Sequence, residues 1–121
     1  LILAQGSILG EVSKARKALQ GQGVSAQIRS VHTLVPFDEG FIIEWARKGK
    51  AIVTVEEHSC VGGLGMTVGA LIAREQLSGS PFLSISLPRT VPHPVGSQSF
   101  MRHEMGLSAP RLAEQIMNWM N

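Results

Sequence analysis

The chain has no tyrosine and a single cysteine, Cys60, and its phenylalanines and tryptophans make up only 5% of 121 residues. One cysteine excludes an internal disulfide and fits a reducing compartment. So few aromatic rings leave no platform on which bases could stack, and the 11 Lys and Arg residues are scattered among 9 acids rather than gathered into a patch. The densest basic groups, Lys14, Arg16 and Lys17, and Arg47, Lys48 and Lys50, read as solvated helix surface. Nucleic acid is therefore not an expected partner. No apolar run approaches the roughly 18 residues of a membrane span and no leader is visible, so a membrane is not expected either, and the expected location is the cytoplasm.

Catalytic and cofactor motifs are also missing. No Gly-Lys-Ser or Gly-Lys-Thr exists to form a P-loop, and no G-x-S-x-G elbow exists to present a serine nucleophile. His32, His58, His93 and His103 have neither the i, i+4 spacing of a helical metal site nor a paired cysteine motif, so no metal site is expected. What remains is ordinary for a globular protein: 44% hydrophobic and 17% charged residues, in a length that suits one domain over 1–121.

The stretch from Ala51 to Leu77 organises the rest. Ala51 to Val55 is a continuous, β-branched apolar run, as expected for a parallel strand buried on both faces. Polarity returns at Glu56, Glu57 and His58. Gly62-Gly63-Leu64-Gly65 then opens a helix in which Leu64, Val68, Leu71 and Ile72 share one face. In an open α/β sheet this turn lies at the carboxyl edge of the strands, where such folds usually bind ligands.

The remaining elements alternate in the same way. Leu1 to Ala4 predicts a strand, and Ile8, Val12, Ala15 and Leu19 mark a helix that Gly21 and Gly23 end. Ala26 to His32 predicts a less buried strand. Asp38 caps a helix carrying Phe41, Ile42, Trp45 and Ala46 inward. Phe82 to Ser86 predicts a fourth strand, residues 88–99 an extended surface excursion with three prolines, Phe100 to Glu104 a helical turn, and Ser108 the cap of a last helix with Leu112, Ile116, Trp119 and Met120 available for packing. Strand and helix alternation at this spacing implies βαβ crossovers, a largely parallel sheet and the α/β class, with three layers.

Three readings of the Glu56 to Gly65 segment follow from the residues. The glycine-rich helix start offers N–H groups and a positive dipole to an anionic metabolite. However, Val68 stands where a dinucleotide fingerprint needs its third glycine. Glu56, His58 and Cys60 could instead supply acid, base and thiolate, although neighbours along a strand seldom make a working set. Glu56 and His58 would share one side and Glu57 the other. The third reading is an interface, with Gly62, Gly63 and Gly65 letting backbones approach closely and Cys60 a buried or half-buried small residue.

The wording of the chain supports the third. Thr33-Leu-Val-Pro-Phe-Asp38, then Ile52-Val-Thr-Val-Glu-Glu-His-Ser59, then Gly62-Gly-Leu-Gly65 with Val68, resembles the C-terminal domain of transketolase and its thiamine-diphosphate relatives. The Glu-Glu-His-Ser and Gly-Gly-Leu-Gly pairing is most similar to the short, two-subunit type. Deoxyxylulose-phosphate synthases and 2-oxoacid dehydrogenase β subunits share the domain. The resemblance implies a mixed-sheet α/β module that belongs to a longer, homodimeric enzyme transferring ketol groups between sugar phosphates. It implies that thiamine diphosphate and its divalent metal are held by other domains, that no catalytic, cofactor or metal residue falls on this chain, and that Glu56, His58, Gly62, Gly63 and Gly65 shape an edge facing the catalytic domains or subunit, or a regulatory ligand.

Overall fold

The structure is a computed structural model, and it describes residues 1–89 and 95–121. Strand β1 (Ile2–Gln5) is followed by a 3-10 turn (Gly6–Ile8) and helix α1 (Leu9–Gly21), then β2 (Ile28–Ser30), α2 (Glu39–Arg47), β3 (Ile52–Ser59), α3 (Leu64–Arg74), β4 (Phe82–Leu87), α4 (Gln98–Glu104) and α5 (Ala109–Met120). The sheet order is β2-β1-β3-β4 and every pairing among the described residues is parallel. The antiparallel component expected of a mixed sheet does not occur among them. The middle of the expected 88–99 excursion, with His93, lies outside the described residues.

Side-chain alternation along the strands divides the core into two layers. Ile2, Ala4, Val53, Val55 and Ile85 face α1 and α5, where Val12, Ala15, Leu19, Leu112 and Ile116 are buried. Leu1, Leu3, Val31 and Ile52 face α2 and α3, where Ile42, Ala46, Leu64, Val68 and Leu71 are buried. The result is a three-layer α/β/α sandwich. Each fully buried Leu, Ile or Val contributes about 1.5–3 kcal/mol relative to its exposed state, so the amphipathic faces hold the helices to the sheet. β1 and β3 are flanked on both sides, which is why Leu3, Ala4, Ile52 and Val55 are all fully buried. β2 is an edge strand, and its half-buried residues match the mixed polarity of its sequence.

Two elements differ from expectation. β3 continues four residues past Val55, through Glu56, Glu57 and His58 to Ser59, with an irregularity in its pairing to β4 before Ser59. Polarity did not end the strand because each carboxylate has a partner, as described below. Ser108 is the N-cap residue of α5, but its hydroxyl makes no capping bond and is buried without a partner. The capping is done from α1: the Ala109 N–H donates to Glu11 Oε2 at 2.8 Å. Trp119 packs on the core from its rim, whereas Met120 is 50% exposed and does not pack.

This arrangement orders two substitutions. Glu11→Ala is expected to destabilise the domain by about 1–2 kcal/mol, the range of a lost cap. Ser108→Ala should be neutral or slightly stabilising, since it removes a buried hydroxyl with no partner. Urea unfolding of both variants measures the difference, and equal losses would contradict the assignment of the cap to Glu11.

Candidate functional site

The chain runs from β1 outward to β2 and then back across β1 to β3, so the topological switch lies between the carboxyl ends of β1 and β3. A cleft of about 280 Å³ opens there, lined by Gln5, Gly6, Ser7, Glu56, Glu57 and His58. Its two carboxylates leave β3 on opposite faces and meet different partners.

Glu56 turns toward α3 and is 1% exposed. Its Oε2 accepts from Leu64 N–H at 2.7 Å and its Oε1 from Gly65 N–H at 2.8 Å. These are first-turn donors that no residue within α3 can satisfy, and the N-cap Gly63 has no side chain to do so. The carboxylate therefore caps α3 from the neighbouring strand, and the helix dipole favours the negative charge. This geometry explains the glycines. A Cβ on Gly63 would overlap the Glu56 carboxylate, and a Cβ on Gly65 would overlap Ser84 Oγ on β4 and crowd Thr54 Oγ1 on β3. Gly62 has φ of +78°, a backbone conformation that suits glycine.

Glu57 turns the other way, toward α1 and α4. Arg102 donates to it twice, from Nε to Oε1 at 2.7 Å and from Nη2 to Oε2 at 2.6 Å. Ser7 Oγ donates to Oε2 at 2.7 Å and accepts from Arg102 Nη2 at 3.0 Å. The pair is well shielded, with side-chain exposures of 13% for Arg102 and 25% for Glu57. The bonds from Arg102 hold the Glu57 carboxyl below the usual carboxylate range, and burial opposes them only in part. Glu57 in turn raises the Arg102 guanidinium above its ordinary value.

The other residues singled out by the sequence lie on the surface of this edge. His58 is exposed, with Nδ1 against the Ser59 carbonyl oxygen at 2.9 Å. Cys60 is exposed rather than buried, because the loop that carries it projects beyond the sheet. Among the described residues no hydrogen bond joins any two of Glu56, His58 and Cys60, and no group of His, Cys, Asp and Glu is placed to hold a metal ion. The anion position at the start of α3 is taken by Glu56 itself. Val61 is 50% and Met66 56% exposed beside it, the Met66 sulfur accepting from Gly62 N–H.

Sequence reasoning missed Arg102 and Glu11. Neither has a local signal, since their partners are 45 and 98 residues away. The one signal the sequence carried was that Glu57 faces the side opposite to Glu56, which names no partner.

Comparison with known proteins adds the following. The family model for the transketolase C-terminal domain matches residues 1–112. A 6-deoxy-6-sulfo-D-fructose transketolase subunit from Clostridium sp. (strain MSTE9) is 32% identical over 111 residues, which is 92% of this chain and 34% of that protein. A 1-deoxy-D-xylulose-5-phosphate synthase from Yersinia pestis (strain Pestoides F) is 34% identical over 119 residues, 98% of this chain and 18% of that protein. A solved split-gene transketolase, an inactive beta4 tetramer, superposes with a TM-score of 0.80 at 26% identity, over 97% of this chain and 37% of its own. The chain thus spans between about a fifth and about a third of the relatives it matches.

Two outcomes follow from the carboxylates. Glu56→Gln keeps the shape but offers one acceptor oxygen where two are used, leaving a buried N–H unpaired. It should cost about 1–3 kcal/mol in urea unfolding, and a neutral result would contradict the cap. Glu57 has a lowered folded pKa, so its contribution is present above the ordinary value of 4.5 and is lost as pH falls through the lower, folded value. The melting temperature should therefore fall on acidification below about pH 4.5, and Arg102→Met should flatten that part of the profile. An unchanged acid slope in Arg102→Met would show that the pair is not its source.

Proposed function

Because the chain belongs to the transketolase C-terminal-domain family, we propose that it is the non-catalytic C-terminal domain of a thiamine-diphosphate-dependent enzyme that transfers ketol groups between sugar phosphates, and that the carboxyl edge of its sheet packs against the catalytic domains or subunit. The observation that carries this reading is the distribution of exposed apolar side chains. Leu9 follows β1, Val35 follows β2, Val61 and Met66 follow β3, and Phe100 lies on α4, which Arg102 ties to the same edge. These five residues are between 36% and 90% exposed, and a parallel sheet sends the connections after β1, β2 and β3 to one end, whereas exposed Met120 on α5 stands apart beside Leu1 and Ala51. Apolar side chains gathered on one end of a small domain mark an interaction surface.

The switch-point cleft supports the same reading. Its carboxylates are used internally, Glu56 on the α3 backbone and Glu57 on Arg102. Acid and base work needs a group within reach of a reacting proton, and neither carboxylate is free to supply one. The residues present do not fit thiamine diphosphate either. The helix start that would hold a diphosphate already carries a carboxylate, which would repel it. In this proposal the cofactor and its divalent metal belong to the catalytic neighbour, and the whole enzyme is a homodimer.

In this reading Glu56, Gly63 and Gly65 shape the edge from beneath, since all three are buried, while His58, Gly62, Val61 and Met66 touch the neighbour. A second reading rests on the 34% identity to a deoxyxylulose-phosphate synthase, which makes the same edge the docking surface of that enzyme's C-terminal domain.

The test places the double substitution Val61→Glu, Met66→Glu in the longer polypeptide. Both side chains are exposed, so the melting temperature of the domain itself should hold. Association with the catalytic part, measured by analytical ultracentrifugation, should weaken about tenfold or more, and turnover should fall with it. Unchanged association and turnover would sink the edge-docking proposal.

A further inference from the structure

A second cleft, of about 350 Å³, lies at the carboxyl end of β2 and the start of α2, on the same edge of the sheet but apart from the switch-point cleft. Its floor is apolar, from Leu3, Val31 and Ile42, and Pro36 and Phe37 form one wall. Arg29 stands on its rim. The guanidinium lies 3.8 Å from the centroid of the Phe41 ring, and its Nη2 donates to Asp38 Oδ2 at 2.7 Å. Stacking on one side and an ion pair at one corner fix the plane of the guanidinium. Among the described residues Nε and Nη1 have no protein acceptor, and at 39% exposure the side chain is open to a ligand from solvent. The exposed His32 adds an imidazole to the same rim.

We propose that this cleft binds a small monocarboxylate with an apolar body, the carboxylate on the unused donors of Arg29 and the body against Phe37 and Pro36. The volume is at the low end of small-molecule sites, which suits a ligand of roughly ten to fifteen heavy atoms. A planar, singly charged carboxylate matches the guanidinium fork. A dianion such as phosphate fits poorly, because Asp38 places a negative charge 2.7 Å from the same guanidinium. The start of α2 does not compensate: Asp38 Oδ1 accepts from Phe41 N–H, and Glu39 N–H donates to the Phe37 carbonyl.

The probe is 3-phenylpropionate, titrated into the full 121-residue chain and followed by amide and arginine side-chain NMR, with 3-phenylpropionamide and inorganic phosphate as controls. Saturable shifts confined to Arg29, His32, Phe37 and Phe41, with a dissociation constant on the order of 1 mM and at least tenfold weaker binding of the amide, are expected. Arg29→Met should abolish them. Since Arg29 also holds Asp38, a destabilised Arg29→Met is replaced by Arg29→Lys, which keeps a cation for Asp38 but lacks the planar fork; it should weaken binding of the probe at least tenfold. Absence of saturable shifts, shifts centred elsewhere, equal binding of the amide, or inorganic phosphate binding as tightly as the probe would each overturn the proposal.

Discussion

The domain depends on the placement of one carboxylate. Glu56 stands on the central strand of the sheet at the point where that strand would otherwise end, and it binds the first free N–H groups of the helix that follows. Strand length, helix entry and glycine choice are all consequences of that contact. β3 extends to Ser59 because its charge is satisfied, α3 begins without a cap of its own, and Gly63 precedes it because the carboxylate fills the space a side chain would need. A buried anion with two charge-assisted hydrogen bonds and a helix dipole is stable, whereas the same anion with one bond missing is not. The connection therefore has little freedom to vary in length or sequence.

The legibility of the fold follows from the same physics. β1 and β3 were readable because apolar residues run without interruption through strands covered on both faces, β4 because Phe82, Leu83, Ile85 and Leu87 follow the turn at Ser78 to Pro81 although it is an edge strand, and α1 and α3 because Val12, Ala15 and Leu19, or Leu64, Val68 and Leu71, recur at helical spacing. The sequence argument about the glycine-rich helix start offered its N–H groups to an anionic metabolite, and Glu56 occupies them instead. It could not see that the anion comes from the strand eight residues upstream. The end of β3 was misread because Glu56, Glu57 and His58 look like a polar turn, and nothing local says that Glu57 has an arginine 45 residues away. Ser108 had the right residue type for a cap, yet Glu11 does the capping, because the close packing of α5 on α1 brings a stronger acceptor to the same N–H. Cys60 was placed inside by the habits of free cysteine, while the loop that carries it lies beyond the last strand pairing.

Two regions of the carboxyl edge have different characters. The carboxyl end combines satisfied charges with unsatisfied apolar surface: Glu57 and Arg102 are closed on each other, and Val35, Val61 and Met66 stand open. Such an end can be held by a neighbour through packing, with the charges fixing the shape of what is packed. The cleft beside β2 follows another logic, in which an arginine is immobilised by stacking and one ion pair while part of its donor set remains unused.

The bonds from Arg102 to Ser7 and from Ala109 to Glu11 join positions 95 and 98 residues apart. During synthesis, α1 emerges long before α5, and its apolar face of Val12, Ala15 and Leu19 has no cover on that side until the last helix has left the ribosome. The sheet can assemble strand by strand, but one of its faces closes only at the end. Until then the nascent domain exposes apolar helix surface that only the finished fold covers.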